Sequence, residues 1–187
     1  MPTSQEYQEA IRKMNWQKIK ALWKTIQAGT VDGWWENGKA FEYLIVRMFE
    51  LDDAEVTWPY SVYLFGSPAK EQIDGAVRFG SMHWLLESKD KNEDVAIDPI
   101  AKMRNQLLRR PWGTIGLVFT TTKFTPPAVL MTHFALPQPI LLWTGFEIAH
   151  AIDKKTICEF TKEKYRACVE HGAVDFDITV LSQRISK

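Results

Sequence analysis

Three residues carry side chains whose types and spacing could do chemistry together. Asp74 stands in Gln72-Ile-Asp-Gly75, and Glu87 and Lys89 stand in Leu86-Glu-Ser-Lys89. A Gly80-Ser81 break separates the two stretches, so they read as neighbouring strands, Asp74 opening the first and Glu87 and Lys89 closing the second. Residues two apart on a strand share a face, so Glu87 and Lys89 point one way and Ser88 the other. Two carboxylates offer the hard oxygens that Mg2+ takes while it keeps several of its waters. The Ser88 backbone carbonyl is in place to supply a third oxygen. A metal-bound water gives up its proton more easily than bulk water, and the metal offsets charge building at phosphorus. Lys89 would orient that water or stabilise the phosphorane. Its carboxylate neighbours favour the charged ammonium, which argues against a general-base role. The set suits metal-dependent hydrolysis of a phosphodiester. The bland alternative is a turn at Asp74-Gly75 and an ordinary strand-end charge pair. Against it stands Trp84-Leu-Leu86, which ends a buried-looking strand on two charges.

Elements must hold these residues in place. Residues 4–27 read as one helix capped by Ser4, with Ile11, Met14, Ile19, Leu22 and Ile26 near helical spacing. It can serve as a packing arm, a dimer element or a DNA-facing element. A turn-rich link over 30–37 contains Trp34-Trp35. A second helix over 38–51 buries Phe41, Leu44, Ile45, Met48 and Phe49 and carries Glu42 on the flank of that stripe. If it packs over this edge of the sheet, Glu42 reaches the metal through water or holds a second ion. Residues 56–64 read as a strand interrupted by Pro59, and 65–68 as a turn. Asp98 is expected to cap a helix begun by Pro99, with Ile100, Met103, Leu107 and Leu108 inward and Pro111 as the stop. Residues 114–120 are apolar without alternation, the mark of a strand covered on both faces. A helix from Pro126 or Pro127, a short buried strand over 140–143, a helix ending near Lys154 and a last helix over 162–171 follow. Residues 174–181 read as an added edge strand. The sum is an α/β fold, a central mixed β-sheet flanked by helices.

The 187 residues, 45% apolar and 12% aromatic, suffice for one packed domain. With 23 basic and 23 acidic residues the chain has no bulk charge for wrapping nucleic acid, so a nuclease built on it needs a local basic rim. Arg104, Arg109, Arg110 and Lys123, with Lys102, are the candidates for contacting phosphates. Cys158 and Cys168 have no zinc-ligand pattern and are expected to be reduced, as in a cytoplasmic protein. The N-terminus has no apolar signal run, and the apolar stretch 127–143 is broken by His133, Pro137, Gln138 and Pro139, so no membrane span is expected. The four histidines are scattered, and there is no glycine-rich phosphate loop.

The ordered set resembles the PD-(D/E)xK nuclease superfamily and, within it, Mrr-like and restriction-endonuclease-like proteins. Gly38-Lys-Ala-Phe-Glu42 resembles the first core helix of that family with its Phe-Glu pair. Gln72-Ile-Asp-Gly75 resembles the strand bearing the family aspartate, Leu86-Glu-Ser-Lys89 the Glu-x-Lys strand, Gly116-Leu-Val-Phe-Thr120 the next strand, and Ile140-Leu-Leu-Trp-Thr-Gly145 the last. Gln106 matches a glutamine that often lies at the active site in Mrr-like members. Two departures are Ile73 where proline often precedes the aspartate, and Arg110 where an aromatic often follows the glutamine.

The resemblance implies a restriction-endonuclease-like core over 38–153 within a single domain, 1–187. A helical extension over 1–30 precedes the core, and a helix and edge strand over 154–187 follow it. It implies an endonuclease that hydrolyses DNA with Mg2+, for which Mn2+ substitutes, with a role in restriction or defence. Asp74, Glu87 and the Ser88 carbonyl would hold the metal, Lys89 would assist the water, Glu42 would support the site and Gln106 would position water or phosphate. The expected partner is double-stranded DNA, and one site per chain favours a homodimer for cutting both strands. No separate DNA-reading domain is expected within these residues, so recognition is expected to fall to the N-terminal helix, the tail, the loops at 65–72 and 90–98, or a partner protein. The alternatives are a silent member of the fold that binds nucleic acid or protein, an RNA nuclease, and an unrelated interaction protein in which Asp74 and Glu87 lie far apart.

Overall fold

The structure, a computed structural model, describes residues 2–58, 60–63 and 70–181. Its strands, in chain order, are β1 (Glu55–Thr57), β2 (Tyr60–Tyr63), β3 (Lys70–Ile73), β4 (Gly75–Phe79), β5 (Met82–Lys89), β6 (Thr114–Thr120) and β7 (Ile140–Trp143). Five form a mixed sheet in the order β1-β4-β5-β6-β7, while β2 and β3 pair with each other. The ladders on the β1 and β4 side of β5 are antiparallel, and those from β5 through β6 to β7 are parallel. The unbroken apolar run in β6 is buried on both faces at the sheet centre, as its sequence requires.

The helices are α1 (Ser4–Arg12), α2 (Trp16–Gln27), α3 (Lys39–Leu51), α4 (Asp98–Leu107), α5 (Pro126–His133), α6 (Gly145–Lys154) and α7 (Cys158–His171). Strand alternation sorts the core into two layers. Trp84, Leu86, Leu117, Phe119, Leu141 and Trp143 face the side of α3, where Phe41, Leu44 and Phe49 meet them. Leu85, Val118 and Leu142 face the opposite side, where α4 brings Ile100, Met103 and Leu107. Gly116 lets α4 come close: a Cβ there would lie 2.6 Å from Met103 Cγ.

Several elements differ from the sequence reading, each for a local reason. The helix expected over 4–27 is two helices. Asn15 is the N-cap of the second, its side chain accepting from Lys18 N at 3.1 Å. The first is capped by Thr3 rather than Ser4, because Glu6 completes a capping box with Thr3. These helices are a packing arm: Tyr7 is buried and stacks on Trp35, and Ile11 and Ile19 are fully buried. The strand expected over 56–64 is divided, β1 joining the central sheet and β2 the small one; Pro59 and the turn at 65–68 lie outside the described residues. The stretch 72–79 is likewise divided, and Asp74 stands at the break between β3 and β4 instead of opening a strand. Ile97, not Asp98, is the N-cap of α4. The last helix begins at Cys158 because Asp52 Oδ2 accepts from the amides of Ile157 and Cys158, both at 2.7 Å. The edge strand expected over 174–181 does not form. Val174 O accepts from Leu142 N at 3.1 Å, and the chain then turns into a 3-10 helix, Ile178–Val180, capped by the Asp177 side chain.

Candidate active site

The antiparallel register of β4 and β5 sets Gly75 opposite Leu86, and one step further brings Asp74 beside Glu87. Asp74 is locked to the end of β5: its Oδ2 accepts from Ser88 N and from Ser88 Oγ, both at 2.7 Å. Two donors on one oxygen fix the carboxylate's orientation. Glu87 faces the α4 side with Leu85 and is wholly buried. Its charge is met by two lysines, Lys89 Nζ at 2.6 Å from Oε1 and Lys102 Nζ at 2.6 Å from Oε2. A carboxylate at full burial needs such partners.

Glu42 comes from the other face. It lies in the first turn of α3, with Lys39 Nζ 2.6 Å from its Oε2. Burial pushes the Glu42 carboxyl above its ordinary value, and the charges of Asp74 and, more weakly, Glu87 push the same way against Lys39. A cavity of about 450 Å³ wraps the end of β5, so both faces open on it. It is lined by Lys39, Glu42, Asp74, Ser88, Lys89 and Lys102, among others.

The donor set fits a hard divalent ion. Asp74 and Glu87 are adjacent carboxylates at the carboxyl end of a parallel strand, and the crowding felt by Glu42 is the kind a cation relieves. Among the described residues no group of three or more His, Cys, Asp or Glu is arranged as a metal cage. A two-carboxylate site is compatible with an ion that keeps most of its waters.

Gln106 is buried on the same side as Glu87, and its Nε2 donates to Gln72 O at 3.4 Å, two residues before Asp74. It braces the strand that delivers Asp74 and is not among the residues lining the cavity. The four other basic candidates scatter. Arg104 is exposed on α4, and Arg109 and Arg110 follow that helix's last turn. Lys123 sits over the Phe146 ring at 5.9 Å and lines a different cavity, about 730 Å³, beside α6. Sequence reasoning did not place Lys102 or Lys39 at the site. The signal was present: Lys102 lies one turn before Gln106 and Lys39 one turn before Glu42.

Residues 36–152 match the restriction endonuclease family of Mrr catalytic domains (Mrr_cat). No curated protein matches the chain. Among solved structures it is similar to the MspJI restriction endonuclease in complex with a 27-mer oligonucleotide, at 22% identity and a TM-score of 0.44, over 80% of this chain and 33% of that one. It is also similar to the DNA modification-dependent restriction endonuclease AspBHI, at 17% identity and a TM-score of 0.44, over 83% of this chain and 40% of that one. The chain thus spans less than half the length of these solved chains.

Proposed function

The chain belongs to the Mrr_cat restriction endonuclease family, and from that membership we propose that it is a metal-dependent endonuclease hydrolysing DNA phosphodiester bonds. The observation that carries this reading is the Asp74–Glu87–Lys89 cluster at the end of β5, inside the family-matched stretch: Asp74 and Lys89 line a cavity that Glu42 also lines, and Glu87 lies buried behind them, paired with Lys89. Asp74, Glu87 and the Ser88 carbonyl would hold the ion, and Glu42 would support it. Mg2+, or Mn2+ in its place, supplies an acidified water and offsets charge on the phosphate. The chain's own groups do the rest. Ser88 keeps Asp74 turned toward the site. Lys89 orients the attacking water and stabilises negative charge as the phosphorane forms. Gln106 steadies the strand entering Asp74. The substrate is double-stranded DNA, the working form is a homodimer, and the setting is restriction or defence in the cytoplasm. Target choice comes from the extensions, the loops or a partner protein. No helix among the described residues is long and apolar enough to cross a membrane.

A second reading has one observation in its favour. Both oxygens of Glu87 already carry lysines, as they would in a silent member that binds DNA or a partner without metal. Cleavage of supercoiled and linear DNA with Mg2+ or Mn2+ separates the two, beside Asp74→Ala and Lys89→Ala proteins purified identically. The nuclease reading expects metal-dependent cutting that falls on the order of 10²–10³-fold or more in each variant, in proteins whose circular dichroism shows the parent's fold. Cutting that survives both substitutions would sink the assignment of the site. Calorimetric titration showing no Mg2+ binding, in a protein that still binds DNA, would favour the silent reading.

A further inference from the structure

Glu87 holds two lysines at the same 2.6 Å distance, yet only Lys89 belongs to its strand. The other, Lys102, comes from α4, and its mount is rigid. Ile100, Met103 and Leu107 on that helix are fully buried, Met103 fills the space left by Gly116, and Gln106 one turn on is tied to Gln72 O. The Lys102 side chain is 44% exposed although its ammonium touches a carboxylate that is 0% exposed. It therefore connects the buried centre of the site to solvent, along a wall of the cavity.

Charge bookkeeping shows why a second lysine matters. Glu42, Asp74, Glu87 and Asp90 bring four formal negative charges to the cavity and its floor, and Lys39, Lys89 and Lys102 bring three positive ones, a balance of −1. That balance repels a phosphodiester. A divalent ion held by Asp74 and Glu87 would change it to +1, which attracts one, and would compete with the two lysines for the Glu87 oxygens. Lys102 is the more exposed of the two, 44% against 32% for Lys89, and the one not carried by the motif strand.

We propose that Lys102 is a phosphate-binding residue of this site, neutralising Glu87 in the resting chain and passing its ammonium to a backbone phosphate of the bound DNA. The inference rests on the nuclease reading above and adds to it a residue outside the Glu-x-Lys motif. A purely structural counter-ion would affect folding alone, so the test reads DNA binding. Fluorescence anisotropy follows a labelled duplex in Ca2+ across a range of KCl. The proteins are the parent, Lys102→Arg, Lys102→Met, Glu87→Gln, and Lys102→Met with Glu87→Gln, the last, read against Glu87→Gln alone, removing the buried charge that would otherwise lose its second cation. Loss of one phosphate contact should lower the slope of log Kd against log salt by about 0.9 in Lys102→Met against the parent and in the double variant against Glu87→Gln, and Lys102→Arg should keep the parent's slope. Equal slopes in the folded double variant and Glu87→Gln, while the parent binds and cuts DNA, would overturn the role of Lys102 and leave the nuclease reading intact. A parent protein that neither binds nor cuts duplex DNA would overturn both.

Discussion

At Glu42, burial and the neighbouring Asp74 both oppose the carboxylate's charge, and only Lys39 favours it. A group so placed tunes a site more than it builds one. Glu42→Gln is expected to raise the Mg2+ concentration for half-maximal cleavage by about 10–100-fold, with the rate at saturating metal within a few-fold of the parent's. A metal titration of the cleavage rate checks this, and activity lost at every Mg2+ concentration would make Glu42 a direct ligand. Residues at this scale were legible wherever the spacing was short. Glu87 and Lys89 share a face by the two-residue period of a strand, and Asp74 meets them through one hairpin. Lys102 was read only as part of a rim. Its partner lies 15 residues away in sequence, and their meeting depends on how α4 seats against the sheet. The arginines of that rim end up elsewhere for the same reason: Arg104 lies on an exposed side of α4, and Arg109 and Arg110 fall past the end of that helix.

Elements carry the site through their ends. Asp52, just past the C-terminus of α3, caps α7 by accepting from two of its amides and, at 3.2 Å, from Thr156 Oγ1. The sequence showed an Asp-Asp pair ending a helix, and nothing local marks one of them as the cap of a helix more than a hundred residues on. Asp52→Ala should destabilise the fold by about 1–2 kcal/mol, seen as a lower urea midpoint with an unchanged m-value, and Asp52→Asn by less. No loss in either would mean that water replaces the cap at little cost. The same blindness to distant partners explains the two divided strands. Val56–Thr57 and Gln72–Ile73 have ordinary strand residues on either side of their breaks, but the ladders they join belong to different sheets. The parallel half of the sheet was legible because its strands are apolar without alternation and the helices between them are long enough to cross over.

Across the whole molecule, the segments outside the family-matched stretch are joined to it by buried polar contacts. Glu147 of α6 and Lys164 of α7 form an ion pair at 2.5 Å with almost no exposure, and Lys164 Nζ also donates to Phe176 O. Burial pulls the Lys164 ammonium below its ordinary value despite that partner, so the pair sits under electrostatic cost. Lys164→Met should therefore destabilise by about 3–5 kcal/mol by leaving the buried Glu147 charge without its cation, and adding Glu147→Gln should recover part of it. Thermal melts of the two proteins decide the point, and equal losses would show that the packing of α7, not the charge, is what matters.

Moving the family-matched stretch into a fusion protein would cut across these contacts. The family resemblance outlines residues 36–152, but Asp52 and Glu147 inside that outline spend their carboxylates on α7 outside it. A graft trimmed to the outline would expose two acceptors evolved for helix amides and a lysine, and would shed the helix that covers Trp84 through Tyr165. The portable piece is longer than the recognisable one, and its far seam lies beyond the 3-10 turn at Ile178.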